Sequence, residues 1–397
     1  MSKTQTYIEK SSQVFMNTYA RFPLVLERGE ACWVWDVEGK KYLDLVAGIA
    51  VNCLGHSHPQ VIEAMKEQVL KLTHISNLYH NVPGIELAQL LVQSSFADRV
   101  FFCNSGAEAN EGAIKLVRKY FKKKGMPHRT EVITMQNSFH GRTLAMISAT
   151  GQEKVKKGFE PLVPGFTHVP YNDLSALEKA IAPQTAAIML ELVQGEGGIV
   201  FATKKYLEGV KKLCQRQGLL LIYDEIQTGI GRTGSLFAYE HTGIAPDILT
   251  LAKGLAAGLP MGAILACDEV AKAFEPGDHA ATFGGNPLVT HVAKRVIEIL
   301  QKGVLKSSQE VGVYFISKLL KLKDKFKIIK EVRGQGLMLG MELEIPGKEI
   351  VMKGLQKGLL LNCTQEKVLR FIPPLILSKE EVDIAIEKLD EIFTEIS

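Results

Sequence analysis

The chain has 397 residues, of which 46% are apolar and 23% charged, with a net charge of +4. That length supports a large core and two or three domains rather than one. The thin spread of positive charge excludes a dedicated nucleic-acid binder, since the basic run 119–124 reads as a helix running out into a turn at Gly125.

Residues Met1 to Lys10 are polar, with no apolar segment of a leader, and no stretch approaches the roughly 18 apolar residues of a membrane span. Six cysteines, Cys32, Cys53, Cys103, Cys214, Cys267 and Cys363, are scattered without close pairing, several within apolar runs. That usage suits buried thiols in a reducing compartment. The expectation is a cytoplasmic protein that contacts neither membrane nor nucleic acid.

From about residue 58 to 290 short apolar runs alternate with amphipathic stretches, the pattern of parallel strands crossed over by helices. Pro59 opens a helix whose stripe is Val61, Ile62, Met65, Val69 and Leu72. Strands are predicted at Arg99–Cys103, Glu131–Met135, Phe166–Val169, Ala186–Leu190, Leu219–Tyr223, Asp247–Leu251 and Gly262–Cys267. Their aliphatic richness predicts one wide sheet covered by helices on both faces. Tyr206, Leu207, Val210 and Leu213 mark a further helix stripe. After Asn286 come a helix through Leu300, strand-like pieces at Gly336–Glu344 and Val368–Ile372, and an amphipathic ending from Ser378. The expected organisation is α/β: a large domain over 58–290, and a smaller one built from the N-terminal segment 1–57 and residues 291–397.

Three places can carry chemistry. At Phe101–Glu108 an apolar strand gives way to a small-residue turn, where free backbone amides and Gly106 suit a phosphate; Asn104 or Ser105 could equally be a plain helix cap. Asp224 and Glu225 follow the strand at Leu219–Tyr223, on the edge where open α/β sheets bind ligands. Asp224 could cap a helix, bind a metal, or hold a proton on a heterocyclic nitrogen. Lys253 follows the apolar run ending at Leu251 and is flanked by small residues. Buried, it would become a Schiff-base nucleophile; otherwise it is a surface lysine at a strand end.

Two other signals are set aside. Gly229, Gly231 and Gly234 match a dinucleotide-binding string, but Ser235–Gly243 opens no long helix and no acidic residue follows at the required distance, so a glycine loop is expected. Cys53, His56 and His58 lack a complete ligand set and read as turn and cap residues, and no metal site is expected.

Taken in order, the turn at Ser105, then Phe139-His140-Gly141-Arg142, Asp224-Glu225-Ile226-Gln227, Lys253, and Thr282-Phe283-Gly284-Gly285-Asn286 closely resemble the class III, ω-type aminotransferases of fold type I. The likeness runs from about Tyr19 to Leu377. It implies pyridoxal 5′-phosphate, bound as an imine by Lys253, with Asp224 on the pyridinium nitrogen. Ser105, Gly106 and Ala107 would cradle the phosphate, joined by Thr282 of a neighbouring subunit in a homodimer. Phe139 would stack on the ring, Ile226 would press on its other face, Gln227 would reach the phenolic oxygen, and Glu225 belongs to the same cofactor-binding run.

The resemblance also implies substrates. Arg142 would bind the α-carboxylate of N2-acetylornithine, and Arg370 that of 2-oxoglutarate, with Glu196 masking Arg370 while the donor is bound. The terminal amine of the first would pass to the second. Two positions depart from the family: Leu192 replaces a usual proline before the Gln194-Gly195-Glu196 turn, and Ala281 replaces a common serine and removes one substrate hydrogen bond.

Overall fold

The computed structural model describes residues 1–396; Ser397, the last residue of the expected C-terminal part, lies outside the described residues. Strands in chain order are β1 (Leu26–Glu30), β2 (Trp33–Asp36), β3 (Lys41–Asp44), β4 (Arg99–Cys103), β5 (Glu131–Met135) and β6 (Phe166–Val169). They continue with β7 (Thr185–Leu190), β8 (Val193–Gln194), β9 (Val200–Phe201), β10 (Leu220–Asp224), β11 (Ile248–Leu251) and β12 (Gly262–Ala266). The last are β13 (Ile329–Gln335), β14 (Met338–Leu343), β15 (Leu359–Leu360), β16 (Asn362–Thr364) and β17 (Val368–Phe371).

The seven predicted strands form one sheet in the order β4-β12-β11-β10-β7-β5-β6. All are parallel except β12, which runs against both of its neighbours. Every residue of β7, β10, β11 and β12 is buried, as aliphatic runs covered on both faces must be. Tyr206, Leu207, Val210 and Leu213 are the buried face of helix Lys204–Gln217, which ends on Gly218 in the left-handed region, where glycine is favoured.

Two predicted helices differ in detail. Helix Pro59–Val69 buries Val61, Ala64 and Gln68 and leaves Val69 and Leu72 exposed, because the helix stops at 69 and the rest of the stripe faces outward. The helix after Asn286 spans Pro287–Ile299, loosens through a π turn at Leu300–Val304 with Gly303 at φ 146°, and resumes as Leu305–Lys325. The basic run 119–124 ends helix Gly106–Lys123, and Lys119, Lys123 and Lys124 pair with Asp278, Glu275 and Glu269.

Outside the main sheet, β13-β14-β17-β16 forms a four-stranded sheet. A second, β1-β2-β3-β15, joins strands from both ends of the chain, with β15 parallel to β3. All six cysteines are unpaired. Among the described residues no His, Cys, Asp or Glu cluster could hold a metal, and no helix is long and apolar enough to cross a membrane.

Candidate active site

The carboxyl ends of the parallel strands meet around a cavity of about 300 Å³. Its walls include Ser105, Gly106 and Ala107 from the turn after β4, Phe139 and His140 from the loop after β5, and Glu191 after β7. Asp224, Ile226 and Gln227 come from the end of β10, and Lys253 from the turn after β11. Ligands collect at this edge because strands end there and backbone amides and side chains are left to converge.

Asp224 closes β10 and is 3% exposed. Its Oδ2 accepts from Asn110 Nδ2 at 2.8 Å and His140 Nδ1 at 2.7 Å, while Oδ1 accepts from the Ile226 amide at 3.0 Å. Asn110 is held in turn by the Thr250 hydroxyl, which donates to its Oδ1 at 2.7 Å, and it donates to the His140 carbonyl at 2.8 Å. Burial works against the charged imidazole of His140, but the Asp224 carboxylate outweighs it and raises the pKa above the ordinary value. Glu191 accepts from the Phe139 amide at 3.1 Å, and burial pushes its carboxyl up to about 8.

Lys253 opens a short 3₁₀ turn with φ 44°, a left-handed conformation that a non-glycine residue holds only when its surroundings impose it. The side chain is partly open to the cavity, yet burial lowers its pKa to about 8, with Glu196 the main opposing influence. An amine so shifted is available as a nucleophile near neutral pH.

Arg370 on β17 is 1% exposed, and its Nη1 donates to Glu196 Oε1 at 2.5 Å. Burial disfavours the Glu196 charge, but the guanidinium outweighs it and holds the carboxyl below its ordinary value. Gly195 lets the turn pass close to Gln227: a Cβ there would lie 1.8 Å from Gln227 Oε1. Leu192, at the usual proline position, is buried, and its carbonyl accepts from the Ala202 amide at 2.9 Å.

Not every expected site residue lies here. Glu225 is 0% exposed but faces away from the cavity, where its carboxyl accepts from the amides of Ala238 at 2.6 Å and Tyr239 at 2.8 Å. β10 ends at Asp224, and just beyond it the bonds to the Ala238 and Tyr239 amides hold the Glu225 carboxyl on the side away from the cavity. Ala281 and Thr282 line a separate hollow with Cys103, Asn104, Glu108 and His279. Arg142 is exposed and lines a larger adjoining cavity of about 850 Å³, whose wall also includes Phe139, Glu196 and Lys253. The glycine loop opens no long helix, and its Arg232 is buried, donating to the carbonyls of Leu337 and Pro373. His140, Asn110, Glu191 and Thr250 had no role in the sequence reading. A polar asparagine on the otherwise apolar buried face of helix Gly106–Lys123 was the signal present.

The residues fit pyridoxal phosphate. A Cβ at Gly106 would meet Ile226 at 2.8 Å, so only glycine allows close backbone approach beside the first amides of helix Gly106–Lys123. Ser105 caps that helix by accepting from the Glu108 amide, which leaves its hydroxyl proton free to donate. An amine, a buried carboxylate and an amide cradle thus meet in one cavity, matching the aldehyde, the ring nitrogen and the phosphate.

Comparison with known proteins agrees. Residues 14–393 match the family model "Aminotransferase class-III". The chain is 52% identical over 394 residues to an acetylornithine aminotransferase of Methanocaldococcus jannaschii, covering 99% of both chains. It is 53% identical to one of Caldanaerobacter subterraneus subsp. tengcongensis, covering 98% of this chain and 99% of the relative. Among solved structures, ornithine aminotransferase from Toxoplasma gondii ME49 superposes with a TM-score of 0.96 at 35% identity, over 100% of this chain and 96% of that one. Acetylornithine aminotransferase from Elizabethkingia anophelis does so with a TM-score of 0.90 at 34% identity, over 100% of both. Matched by the family model over residues 14–393 and by these relatives over nearly its whole length, the chain belongs to the class-III aminotransferases.

Proposed function

We propose that this enzyme moves the terminal amino group of N2-acetyl-L-ornithine to 2-oxoglutarate, giving N-acetyl-L-glutamate 5-semialdehyde and L-glutamate. Run in the opposite direction, the reaction serves arginine biosynthesis. The observation that carries this reading is the Glu196–Arg370 pair at 2.5 Å, in which Glu196 lines the cavity and covers the buried Arg370 guanidinium. The donor's reacting carbon bears no carboxylate, so an open cation beside it would be an unpaired buried charge. The acceptor's reacting carbon does bear one, and a planar guanidinium suits it. A cation that is masked for one substrate and open for the other answers both needs.

The adjoining cavity favours an acylated donor. Arg142 provides a cation for the α-carboxylate, and Leu144, Ile147, Val155 and Phe159 make an apolar wall. A neutral acyl group suits that wall better than the free ammonium of ornithine, which gains nothing from apolar contact. The two relatives named above share this chain's length and about half its residues.

When bound, pyridoxal phosphate supplies an aldehyde to take up the amine and a ring to withdraw electrons from the carbon that bears it. The chain's own residues do the rest. Lys253 Nζ would take the proton from the donor's terminal carbon and hand it on to the cofactor, and in the second half of the cycle would take one back and deliver it to the acceptor's reacting carbon. Asp224, held by His140 and Asn110, would keep a proton on the ring nitrogen. Phe139 and Ile226 would hold the ring between them, Gln227 would reach its phenolic oxygen, and Ser105, Gly106 and Ala107 would bind the phosphate.

The assembly we propose is a homodimer in the cytoplasm, with Thr282 reaching the partner's phosphate and Ala281 beside the substrate. Asn77 donates to the carbonyls of Ala281 and Gly284, and Asn81 to that of Gly285, so segments 77–82 and 281–285 form one surface. Leu78, Tyr79, Val82 and Phe283 are exposed on it, an apolar patch suited to a second copy. Six unpaired cysteines support a reducing compartment. The sheet shared by both chain ends supports a small domain of 1–57 and 291–397 beside a large domain of 58–290.

Steady-state rates against a donor panel test the substrate. Acetylornithine is expected to exceed ornithine, succinylornithine, 4-aminobutyrate and succinyl-diaminopimelate in kcat/KM, with turnover requiring 2-oxoglutarate. A higher value for any other donor would replace it, and turnover without an acceptor would point to an isomerase.

A further inference from the structure

Taking Arg370 as the site of the acceptor's carboxylate, we propose that Asn362 is the positioning residue that holds the Arg370 guanidinium in place while Glu196 is away from it. Asn362 on β16 and Arg370 on β17 are direct partners across an antiparallel pair, so strand register fixes their contact. Asn362 Oδ1 accepts from Arg370 Nε at 3.0 Å and from Nη2 at 2.7 Å. On the other side, Nη1 donates to Glu196 at 2.5 Å and lies 3.4 Å from Gln227 Oε1.

These contacts divide the guanidinium in two. The Nε–Nη2 edge rests on a neutral acceptor, and the Nη1 end rests on an anion that can be exchanged. A guanidinium has five N–H donors in one plane, and a carboxylate engages two of them together. Once Glu196 leaves, Nη1 and the second proton of Nη2 are open to the incoming carboxylate, while Asn362 keeps the plane where it was.

Asparagine suits this position for its neutrality. Arg370 is 1% exposed, so an apolar residue at 362 would leave two buried donors without a partner. An acid there would cancel the charge that attracts the acceptor. The backbone near Glu196 is fixed from the same side: Gln365, in the turn between β16 and β17, donates to the Glu196 carbonyl at 2.9 Å. Arg333 donates to the carbonyls of Gly198 at 2.6 Å and Ile199 at 3.0 Å. Exchange at Arg370 therefore needs rotation of one side chain, with no movement of the loop.

The test uses cofactor-loaded enzyme carrying Asn362→Leu, a near-isostere without the acceptor, or Asn362→Asp, which keeps the acceptor and adds charge. The two half-reactions are followed separately through the cofactor's visible absorbance, and binding of glutarate, a non-reacting dicarboxylate, by calorimetry. Asn362→Leu is expected to weaken 2-oxoglutarate and glutarate roughly 10- to 100-fold, the effect of losing hydrogen bonds to a charged group. Its donor half-reaction should stay within about twofold, a split that a general packing defect would not produce. Asn362→Asp should also weaken glutarate, through charge, and if the leucine variant does not fold the neutral Asn362→Ala carries the test in its place. Unchanged glutarate binding in the variants, or an equal fall in both half-reactions, overturns the proposal. Arg370→Lys separates the two ideas: if it too leaves glutarate binding intact, the acceptor site lies elsewhere and the proposal falls with it. If Arg370→Lys loses binding and the Asn362 variants do not, only the positioning role fails.

Discussion

His140 Nδ1 lies 2.7 Å from Asp224 Oδ2 with neither side chain more than 3% exposed. The imidazole thereby fixes which way the carboxylate faces, and Asn110 fixes it from a second direction. Replacing His140 by leucine keeps the volume and removes one charge-assisted bond. Such bonds contribute about 1.5–3 kcal/mol, so kcat for transamination is expected to fall roughly 10- to 100-fold. Steady-state assays check this, and an unchanged kcat would show that Asn110 and the Ile226 amide suffice to hold Asp224.

The Lys253 amine sets a pH dependence. Burial, opposed chiefly by Glu196, brings its pKa to about 8 from an ordinary 10.5. In protein freed of cofactor, the rate at which added pyridoxal phosphate attaches should rise with pH and level off above about 8. A rate still climbing towards 10.5 in stopped-flow absorbance would contradict the shift. The linkage runs the same way: between 8 and 10.5 the unfolded chain holds a proton that the folded one has released, so folding stability rises with pH. Relative to Lys253→Met, the cofactor-free parent should gain about 1–3 kcal/mol across that window.

Glu225 separates a structural role from a chemical one. Its carboxyl caps the amides of Ala238 and Tyr239, and burial pushes its pKa up to about 8 against the pull of those two bonds. Between 4.5 and 8 the folded chain keeps a proton that the unfolded one gives up, so this group's contribution to stability declines as pH rises. Glu225→Gln removes the titration, so the variant should lose less stability than the parent over that range in denaturant titrations. Glu225→Ala should cost about 2–4 kcal/mol through two unpaired amides. Cofactor affinity should be unchanged in both, and a large loss would return Glu225 to the cofactor site.

The contrast between Asp224 and Glu225 shows what the sequence made legible. The main sheet was readable because its strands are aliphatic runs broken by turns, and Lys253 and Asp224 stood out as charged residues at the ends of such runs. The orientation of Glu225 was not legible, since it lies beyond the strand and is set by the distant amides of Ala238 and Tyr239. β1 and β13 escaped notice because they read Leu-Glu-Arg-Gly-Glu and Ile-Lys-Glu-Val-Arg-Gly-Gln, mostly polar with no long apolar run, β1 being largely exposed and β13 largely half-buried. The Asn110–His140–Asp224–Thr250 network joins four separate segments, and only the packing of a helix on the sheet brings them together. Asn362 was invisible for the same reason, since its significance lies in its register against Arg370.

The apolar surface at Leu78, Tyr79, Val82 and Phe283 gives a test of assembly. His74 packs against Phe283 with ring centroids 5.3 Å apart, and the asparagine bonds from 77 and 81 stiffen the same patch. A carboxylate placed at its centre would be desolvated without a partner on association, at a cost of several kcal/mol each. Leu78→Glu with Val82→Glu is therefore expected to sediment as a monomer, since both residues are exposed in the single chain and its own fold loses nothing. Because Thr282 belongs to the same surface, that monomer should also bind pyridoxal phosphate at least about tenfold more weakly, the effect of one lost bond to a charged phosphate. Thr282→Val isolates the second effect, as it should keep the dimer and weaken the cofactor alike. A charge-bearing double variant that stays dimeric would place the interface elsewhere. A monomer with full cofactor affinity would show that each chain completes its own phosphate site.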